Sequence, residues 1–243
     1  MSNLIIIPTY NEVDNLPRLV AEIRRQPGDW HVLVVDDNSP DGTGQAVDAL
    51  SQQDQAIQCL HRTGKLGLGS AYISGMRLAL EQGFTSIGQM DADFSHPPEL
   101  LPRLSEALQG CDLALGSRYR PGGSVDRDWP AWRKGLSAFG NWYARSILGL
   151  PLRDVTGGFR LWHREALLRI PLERIRSNGY GFLVEMLYVA HCLGCSFCEV
   201  PFYFADRKAG RSKMSFRIQR EAALRVWQMR REYRDLKCDE TDS

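Results

Sequence analysis

Acidic side chains follow three apolar segments in the first half of the chain. Glu12 follows the first segment, Asp36 and Asp37 end the second, and Asp91 and Asp93 end the third. Neighbouring carboxylates repel one another, so we expect a cation or the hydroxyl groups of a sugar to compensate them. An Asp-x-Asp pair suits a hard divalent cation that bridges two phosphates of a nucleotide, and the other carboxylates suit ribose hydroxyls.

The same carboxylates have a second interpretation, in which they only cap the helices that follow. Aspartate is among the favoured N-cap residues, so Asp36 and Asp41 fit this role well. Asp91 and Asp93 fit it less well, because Ser95 or His96 could cap instead and two acids buried side by side are costly. Both interpretations stay open at the level of the sequence.

Basic and acidic residues are unevenly distributed along the chain. The total is near neutral, with 30 Lys and Arg against 29 Asp and Glu, which by itself argues against a nucleic-acid-binding protein. Residues 1–117 hold 7 basic and 15 acidic side chains, whereas residues 118–243 hold 23 and 14. This asymmetry indicates either a site that binds anions or two solvated faces of opposite sign. No DNA-binding motif organises the basic half, so we expect no nucleic-acid partner.

Composition and cysteine spacing favour a cytoplasmic protein, either soluble or attached to a membrane surface. The 243 residues are 43% hydrophobic and 24% charged, the mix of a folded globular chain. We expect no signal peptide, and the apolar runs are well short of the ~20 residues that a membrane-spanning helix needs. Cys192, Cys195 and Cys198 have the spacing C-x-x-C-x-x-C, but no further Cys or His cluster at zinc-site spacing accompanies them. We therefore expect them to pack in the core.

Strands and helices alternate along the chain, as in proteins built on a parallel sheet. In such a sheet ligands bind beyond the carboxyl ends of the strands, where the acidic residues lie. A dehydrogenase would need G-x-G-x-x-G after the first strand, whereas GLGSAY (67–72) follows the third and lacks the last glycine. The pattern predicts strands at 4–8, 30–37, 57–62, 86–93, 112–119, 159–162 and 196–204, a loop at 120–135, and helices at 14–26, 43–53, 69–82, 136–149, 181–193 and 214–236.

Seven motifs occur in order over nearly the whole chain. They are PTYNE (8–12), VVDDNSPDGT (34–43), RTGKLGLGSAY (62–72), MDADFSHPP (90–98), GSRY (116–119), GYGFLVE (179–185) and EVPFYFADRKAGRSK (199–213). Together they resemble the polyprenol-phosphate (dolichol-phosphate) mannose synthases of glycosyltransferase family 2. The resemblance implies an α/β chain with the GT-A fold, a Rossmann-like and mostly parallel central sheet flanked by helices, followed by a C-terminal amphipathic helix. We expect one domain, 1–243, with a nucleotide-binding half (1–117), an acceptor half and closing loop (118–213) and a basic helix (214–236).

The activity that this resemblance implies is the transfer of mannose from GDP-mannose to a polyprenyl (dolichyl) phosphate, with inversion at the sugar. A divalent cation, Mg²⁺ or Mn²⁺, would assist the departure of GDP. Two alternatives stay open. The enzyme could use another donor such as UDP-glucose with the same lipid, or the chain could be a non-catalytic nucleotide-binding regulatory subunit.

The resemblance also assigns roles to residues of the donor site. The nucleoside pocket would consist of Pro8, Tyr10, Glu12, Val35 and Asp37. The strand end that binds the diphosphate and the metal would be Asp91, Ala92 and Asp93, with Asp93 and Ser95 as metal ligands. The cations that hold the phosphates would be Arg118, Arg207 and Lys213.

For the acceptor we expect a cationic site rather than a strong general base, because a polyprenyl phosphate is already an anionic nucleophile at neutral pH. Arg133 is the candidate, with Arg118 shared and Ser137 one turn further on, so that Asp93, Arg118 and Arg133 form the catalytic set. Asp154, Thr156 and Glu185 would contact mannose hydroxyls or position Arg133. The alternatives are that Glu185 forms a salt bridge on a helix face and that Arg133 is an ordinary solvated arginine.

A polyprenyl chain stays in the membrane, so the protein must reach its surface. Residues 118–176 contain 12 basic against 5 acidic side chains together with Trp129, Trp132 and Trp142, a composition suited to lipid headgroups. We therefore expect a peripheral protein on the cytoplasmic face of a membrane, or one held there by a small anchoring subunit. In the alternative interpretation, the helix at 214–236 packs on the sheet and exposes solvated arginines.

Overall fold

The computed structural model describes residues 2–205 and 216–236. Its strands include β1 (Ser2–Thr9), β2 (Asp29–Asp36), β3 (Ile57–His61), β4 (Ser86–Gln89), β5 (Leu113–Ser117), β6 (Ser124–Val125), β7 (Arg160–His163), β8 (Phe197–Pro201) and β9 (Tyr203–Phe204). Its helices include α1 (Leu16–Arg24), α2 (Thr43–Ser51), α3 (Leu68–Glu81), α4 (Leu101–Leu108), α5 (Ala131–Leu148), α6 (Arg164–Arg169), α7 (Tyr180–Cys192) and α8 (Phe216–Glu232). Short 3₁₀ turns cover Pro98–Leu100, Leu172–Arg174 and Arg234–Leu236.

Seven strands form the central sheet in the order β3-β2-β1-β4-β7-β5-β8. Strand β7 runs antiparallel to both of its neighbours, β4 and β5, while the other pairs are parallel. The predicted α/β architecture with a mostly parallel sheet is therefore confirmed. The chain crosses from β3 back to β4 on the other side of β1, so the order of strands reverses at β1 and β4, where open sheets bind their ligands.

The central strands are continuous apolar runs because both of their faces are covered. In β1, Leu4 and Ile6 belong to one core cluster, and Ile5 and Ile7 belong to the other. Alternate side chains of a strand point to opposite faces, so each face of the sheet has a core of its own. Helices α3, α5, α7 and α8 contribute to the first core, and α1 and α4 contribute to the second.

Three segments differ from the sequence-based prediction near the expected site. Strand β4 ends at Gln89, so Asp91 and Asp93 lie in the turn that follows it rather than within the strand. Helix α5 begins at Ala131 instead of 136, directly after Pro130, whose φ of −55° suits the residue that precedes a helix. The loop predicted at 120–135 also contains β6, which pairs in parallel with β9.

Helix α8 packs on α7 and α5 rather than on the sheet, which corrects the alternative interpretation of the basic C-terminal segment. Val226, Met229 and Tyr233 are buried in this contact, whereas Leu224 and Trp227 are exposed. Among the helices that the structure describes, none combines the length and the apolar character needed to cross a bilayer.

The three closely spaced cysteines pack in the core, as predicted. Cys192 and Cys195 are buried in the core that α7 contributes to, and Cys198 packs against the core on the other face of the sheet. Because the sheet separates them, they do not form a common metal site.

Candidate active site

The loops after β1, β2 and β4 meet at one edge of the sheet, and each contains a non-glycine residue with left-handed backbone. Asn11 has a φ of 63°, Asn38 of 58° and Phe94 of 61°. Asparagine tolerates this region, but a phenylalanine there is strained by about 1 kcal/mol or more. Strained backbone of this kind is concentrated at functional sites, which supports this edge as the candidate site.

Two of the aspartates after β2 hold the loops themselves. Asp36 is buried, and its carboxylate accepts hydrogen bonds from the hydroxyl of Thr9 at 3.0 Å and from the backbone and hydroxyl of Ser39 at 3.0 and 2.5 Å. Asp41 accepts from the backbone and hydroxyl of Thr43 at 3.0 and 2.6 Å, and from the backbone of Val13 at 3.2 Å. Although burial acts to raise the pKa of Asp41, these hydrogen bonds lower it below its ordinary value. Both carboxylates therefore fix loop backbone, but neither is the N-cap residue of α2, which is Gly42, so the capping interpretation is not confirmed.

Asp37 is also occupied by the protein. One oxygen accepts from the Arg62 guanidinium at 2.7 Å, and the other accepts from the backbone N–H groups of Leu66 and Gly67 at 3.1 Å. Val35 is fully buried in the core. In the structure Asp37 shapes the loop at 62–67 and Val35 packs in the core, and the nucleoside contacts expected of these two residues stay a prediction.

The loop at 62–67 places the ammonium group of Lys65 over an exposed aromatic ring. The Nζ atom of Lys65 lies 3.6 Å from the ring centroid of Tyr10, which directly follows β1. Pro8 is half-buried within β1, and the Glu12 carboxylate accepts a hydrogen bond from the Asn15 amide at 3.3 Å. An exposed ring beside an ammonium group is a surface on which a planar base can stack.

The turn after β4 presents two half-buried carboxylates. Oδ1 of Asp93 accepts the backbone N–H of Ser95 at 3.1 Å, and the backbone N–H of Asp91 donates to Nδ1 of the buried His96 at 3.0 Å. Nε2 of His96 lies 4.0 Å from the Asp91 carboxylate. His96 stacks on Phe159, with ring centroids 5.0 Å apart, so the turn rests on a fixed aromatic base. Ala92 is buried in the core.

The oxygen atoms of this turn fit a divalent cation. Carboxylate oxygens at a strand end are the hard ligands that Mg²⁺ and Mn²⁺ prefer. The hydroxyl of Ser95 is buried and has no hydrogen-bond partner among the described residues, so its oxygen is available as a further ligand and the assignment of Ser95 stays a prediction. Elsewhere in the described chain, Asp48, Cys59 and His61 form a group with ligand atoms within 4.8 Å of one another.

Arg118 is the most firmly held cation of the site. It follows β5, and Asp154 receives hydrogen bonds from its backbone N–H at 3.0 Å, its Nε at 2.7 Å and its Nη2 at 2.8 Å. Nη2 also lies 2.7 Å from the hydroxyl of Thr156. Burial acts to raise the pKa of Asp154, but the Arg118 guanidinium holds it below its ordinary value. Asp154 and Thr156 thus position Arg118, and not Arg133 as the sequence suggested.

The loop that carries Asp154 is itself fixed from two sides. The Glu199 carboxylate accepts the backbone N–H groups of Arg153 and Asp154, and the Asn141 amide binds the carbonyl of Arg153 and the N–H of Val155. These contacts join α5, β8 and the Asp154 loop. Because its support is rigid, the guanidinium of Arg118 is held in one orientation.

Arg133 and Ser137 lie on α5 and have neighbours of their own. The Arg133 guanidinium lies over the Trp129 ring, 3.8 Å from its centroid, which is a close cation–π contact. The Ser137 hydroxyl lies 2.7 Å from the hydroxyl of Tyr119, the residue after Arg118. Arg133 is therefore held by an aromatic neighbour rather than freely solvated, and Tyr119 links α5 to the Arg118 strand end.

Glu185 is a buried structural carboxylate. It accepts hydrogen bonds from Arg225 at 2.6 Å and Tyr233 at 2.8 Å through one oxygen, and from the backbone of Arg176 and Ser177 at 3.2 and 2.7 Å through the other. The salt-bridge interpretation of Glu185 is confirmed, although the pair is buried rather than on a helix face. Two further predicted phosphate ligands, Arg207 and Lys213, lie outside the described residues.

Comparison with known sequences assigns the family. The sequence profile of glycosyl transferase family 2 matches residues 4–170, well over half of the chain. The chain belongs to that family.

This glycosyltransferase is similar over nearly its whole length to named enzymes. It is 47% identical to undecaprenyl-phosphate mannosyltransferase of Micrococcus luteus, with 93% of each chain covered. It is 46% identical to polyprenol monophosphomannose synthase of Mycolicibacterium smegmatis, over 92% of this chain and 84% of that one. It is 37% identical to dolichol-phosphate mannosyltransferase of Pyrococcus furiosus, over 86% of this chain and 58% of that longer one.

The fold of this glycosyltransferase also matches solved structures. A structure of glucosyl-3-phosphoglycerate synthase from Mycobacterium tuberculosis, in complex with Mn²⁺, UDP and phosphoglyceric acid, superposes with a TM-score of 0.66. The match covers 94% of this chain and 78% of that one at 18% identity, so it supports the fold alone. The predicted GT-A fold is confirmed.

Sequence reasoning missed several residues that hold this glycosyltransferase site. Arg62 and Lys65 lie in the motif RTGK (62–65), directly after β3. Their position at the end of a predicted strand could have identified them as site residues. Arg160 gave no signal, yet it is fully buried and donates to the carbonyls of Gly157, Leu183 and Val155. Burial lowers the pKa of Arg160 to about 9, against the raising effect of Asp154.

Proposed function

We propose that this glycosyltransferase transfers mannose from GDP-mannose to a polyprenyl phosphate, with inversion at the anomeric carbon. The observation that carries the proposal is the similarity, over 93% and 84% of their lengths, to two enzymes named as mannosyltransferases that act on undecaprenyl and polyprenol phosphates. Two cations held by the protein, Arg118 after β5 and Arg133 on α5, suit an acceptor and a donor that both carry phosphate.

The donor would occupy the edge of the sheet between β1 and β4. Its base would stack on Tyr10 beside Lys65, and the loop that Asp37 holds would supply this surface indirectly. Asp91 and Asp93 would lie next to the diphosphate. Glu12 and Pro8 remain candidates for ribose and base contacts.

A divalent cation, Mg²⁺ or Mn²⁺, would be held through Asp93. When bound, it neutralises charge that develops on the leaving diphosphate. The glucosyl-3-phosphoglycerate synthase that shares the fold binds Mn²⁺ together with UDP, which is consistent with this assignment.

The acceptor would react without a strong general base. Its phosphate oxygen attacks the anomeric carbon of mannose from the side opposite the leaving GDP, so that the new C–O bond forms as the bond to the diphosphate breaks. Arg118, Arg133 and Ser137 would orient the phosphate, and Asp154 would keep Arg118 pointed at it. Arg207 and Lys213 would add cations to the donor phosphates.

Use of a membrane lipid implies contact with a membrane surface, on the cytoplasmic face that the sequence composition favours. Trp132 on α5 and Trp227 on α8 are exposed and suit the headgroup layer. A small membrane-anchoring subunit would serve the same purpose. One domain, divided into donor and acceptor halves as predicted from the sequence, remains our proposal for the organisation of the chain.

The test is a transfer assay with purified protein, a polyprenyl phosphate and a panel of labelled GDP and UDP sugars, with and without a chelator. We expect mannose transfer from GDP-mannose, loss of activity with chelator and a β-linked product. A higher rate with UDP-glucose would change the donor assignment. GDP binding without transfer from any donor would instead favour the regulatory subunit.

A further inference from the structure

The first half of α5 is a helix with almost no covered side. From Ala131 to Gly140 every residue is exposed or half-exposed, and the buried residues of the helix, Asn141, Ala144 and Leu148, all lie in its second half. Two large aromatic side chains lie in this exposed half. Trp132 is 69% exposed, and Phe139, which is 57% exposed, lies seven residues further on and therefore on the same side of the helix. Large aromatic side chains left in water on one side of a helix are typical of a surface that meets an apolar partner.

This aromatic side continues onto α8. Phe139 packs against Trp142 in a tilted arrangement and stacks on Tyr143, with ring centroids 5.9 and 6.1 Å apart. The Tyr143 hydroxyl accepts a hydrogen bond from Trp227 Nε1 at 3.1 Å. Trp142, Trp227 and the neighbouring Leu224 are each at least half exposed. We call the exposed residues of this surface the aromatic face. It consists of Trp132, Phe139, Trp142, Leu224 and Trp227.

A cavity of about 320 Å³ adjoins the aromatic face at Trp142. Its lining includes the guanidinium-bearing residues Arg145 and Arg153 and the ring of Tyr119. Within residues 2–205 and 216–236, neither guanidinium has a carboxylate or other hydrogen-bond partner, in contrast to Arg118. Two guanidinium groups in one cavity, without a partner in the part of the chain that the structure describes, attract a group with several acceptor oxygens, and a phosphate diester is such a group.

The aromatic face and the adjoining arginine-lined cavity match two neighbouring layers of a bilayer. Tryptophan and phenylalanine side chains are stable at the boundary between headgroups and acyl chains, whereas phosphate groups lie just outside it. We propose that the cavity between α5 and the residues at 119 and 153 binds the phosphate headgroup of an anionic phospholipid while the aromatic face enters the bilayer interface. This inference builds on the membrane contact proposed above, and it adds a lipid site whose guanidinium groups are those of Arg145 and Arg153 instead of Arg118 and Arg133.

The test is flotation of the full chain with vesicles of phosphatidylcholine, with or without phosphatidylglycerol, in the absence of polyprenyl phosphate and nucleotide sugar. We expect binding that requires phosphatidylglycerol, and about 30-fold weaker partitioning for the double variant Arg145→Ala, Arg153→Ala, because each basic residue near an anionic surface contributes about 1 kcal/mol. Since no substrate is present, failure here and failure of mannose transfer are separate results.

Matched variants distinguish a built site from general charge. Arg77→Ala with Arg103→Ala removes the same charge from exposed positions on α3 and α4, and we expect less than about a threefold effect. The double variant Arg145→Lys, Arg153→Lys keeps both charges but loses the guanidinium groups that donate paired hydrogen bonds. We therefore expect clearly weaker binding than for wild type. Equal losses in the two alanine pairs, or full binding by the lysine pair, would overturn the cavity assignment.

The remaining controls concern the source of the phosphate and the folding of the variants. Inorganic phosphate, compared with chloride at equal ionic strength, should not release the protein from vesicles, and release would assign the cavity to free phosphate instead. Trp142→Ala should also weaken flotation, because the aromatic face loses a central side chain. Near-ultraviolet circular dichroism checks that each variant is folded. Absence of flotation with every vesicle would refute the proposal and favour a partner subunit.

Discussion

Replacing Asp154 with asparagine should release Arg118 from the orientation in which the fold holds it. Asp154 is fully buried and the Arg118 side chain is only 9% exposed, so solvent compensates little of the change. An amide has one acceptor oxygen, and its NH₂ group would face the Nε or Nη2 donors of Arg118 that now bind the carboxylate at 2.7 and 2.8 Å. Removing one partner of a buried ion pair costs about 3–5 kcal/mol, and we expect about 3 kcal/mol because one hydrogen bond can remain.

Denaturant unfolding of wild type and Asp154→Asn measures this cost. The matched control is Asp54→Asn, whose partner Arg24 forms a pair at 2.8 Å with side chains 30% and 36% exposed. An exposed pair of this kind contributes only about 0–1 kcal/mol. If Asp154→Asn costs no more than Asp54→Asn, our argument from burial is wrong.

The same variant tests the role of Asp154 in transfer. A misplaced Arg118 should lower the rate of mannose transfer by about 100-fold, because orientation of reacting groups is lost. The assay is run at a temperature where native circular dichroism shows the variant to be fully folded. An unchanged rate in a destabilised but folded variant would mean that Asp154 only stabilises the loop.

The pH dependence of this difference follows from the direction of the Asp154 pKa. That pKa lies below the ordinary value of 3.8, because Arg118 outweighs the effect of burial, so the carboxylate stabilises the fold at every pH above the ordinary value. The stability difference between wild type and Asp154→Asn should therefore be constant between about pH 5 and pH 8 and should shrink as the pH falls below about 4. A difference that shrinks already near pH 6 would contradict this assignment.

Three further predictions concern the donor site and the C-terminal helix. Asp93→Asn should lower transfer about 100-fold and weaken the dependence on added Mn²⁺, measured by metal titration of the rate, and an unchanged titration would exclude Asp93 as ligand. Tyr10→Ala should weaken GDP binding about tenfold by calorimetry whereas Tyr10→Phe should not, because Lys65 lies over the ring face. Glu185→Gln should lower the free energy of unfolding by about 3 kcal/mol, because it leaves Arg225 without its buried partner, and a loss below about 1 kcal/mol would contradict this.

The sheet could be predicted from the sequence because its strands are apolar on both faces. Runs such as those of β1 and β2 are recognisable without knowledge of their partners. The direction of β7 could not be predicted in this way. Its four residues, Arg160–His163, have the same pattern in either direction, and only pairing with β4 and β5 makes the strand antiparallel.

The positions of the site residues were more predictable than their partners. Tyr10, Asp91 and Arg118 lie at strand ends, which the element pattern and the motifs both indicate. Which group each carboxylate binds depends on contacts between residues far apart in the chain. Asp37 meets its arginine across 25 residues and Asp154 meets Arg118 across 36, so no local pattern distinguishes a ligand-binding acid from one that positions an arginine.

The buried ion pairs explain why the uneven charge of the two halves remains available for ligands. Each pair joins two residues of the same half: Arg62 with Asp37, Arg118 with Asp154, and Arg225 with Glu185. Such a pair removes one charge of each sign from its own half, so the acidic surplus of 1–117 and the basic surplus of 118–243 are unchanged. Under the proposals above, a divalent cation compensates the first surplus and phosphate groups compensate the second. Because salt screens exposed charges much more than buried pairs, added salt should weaken vesicle binding well before it disturbs the Arg118–Asp154 pair.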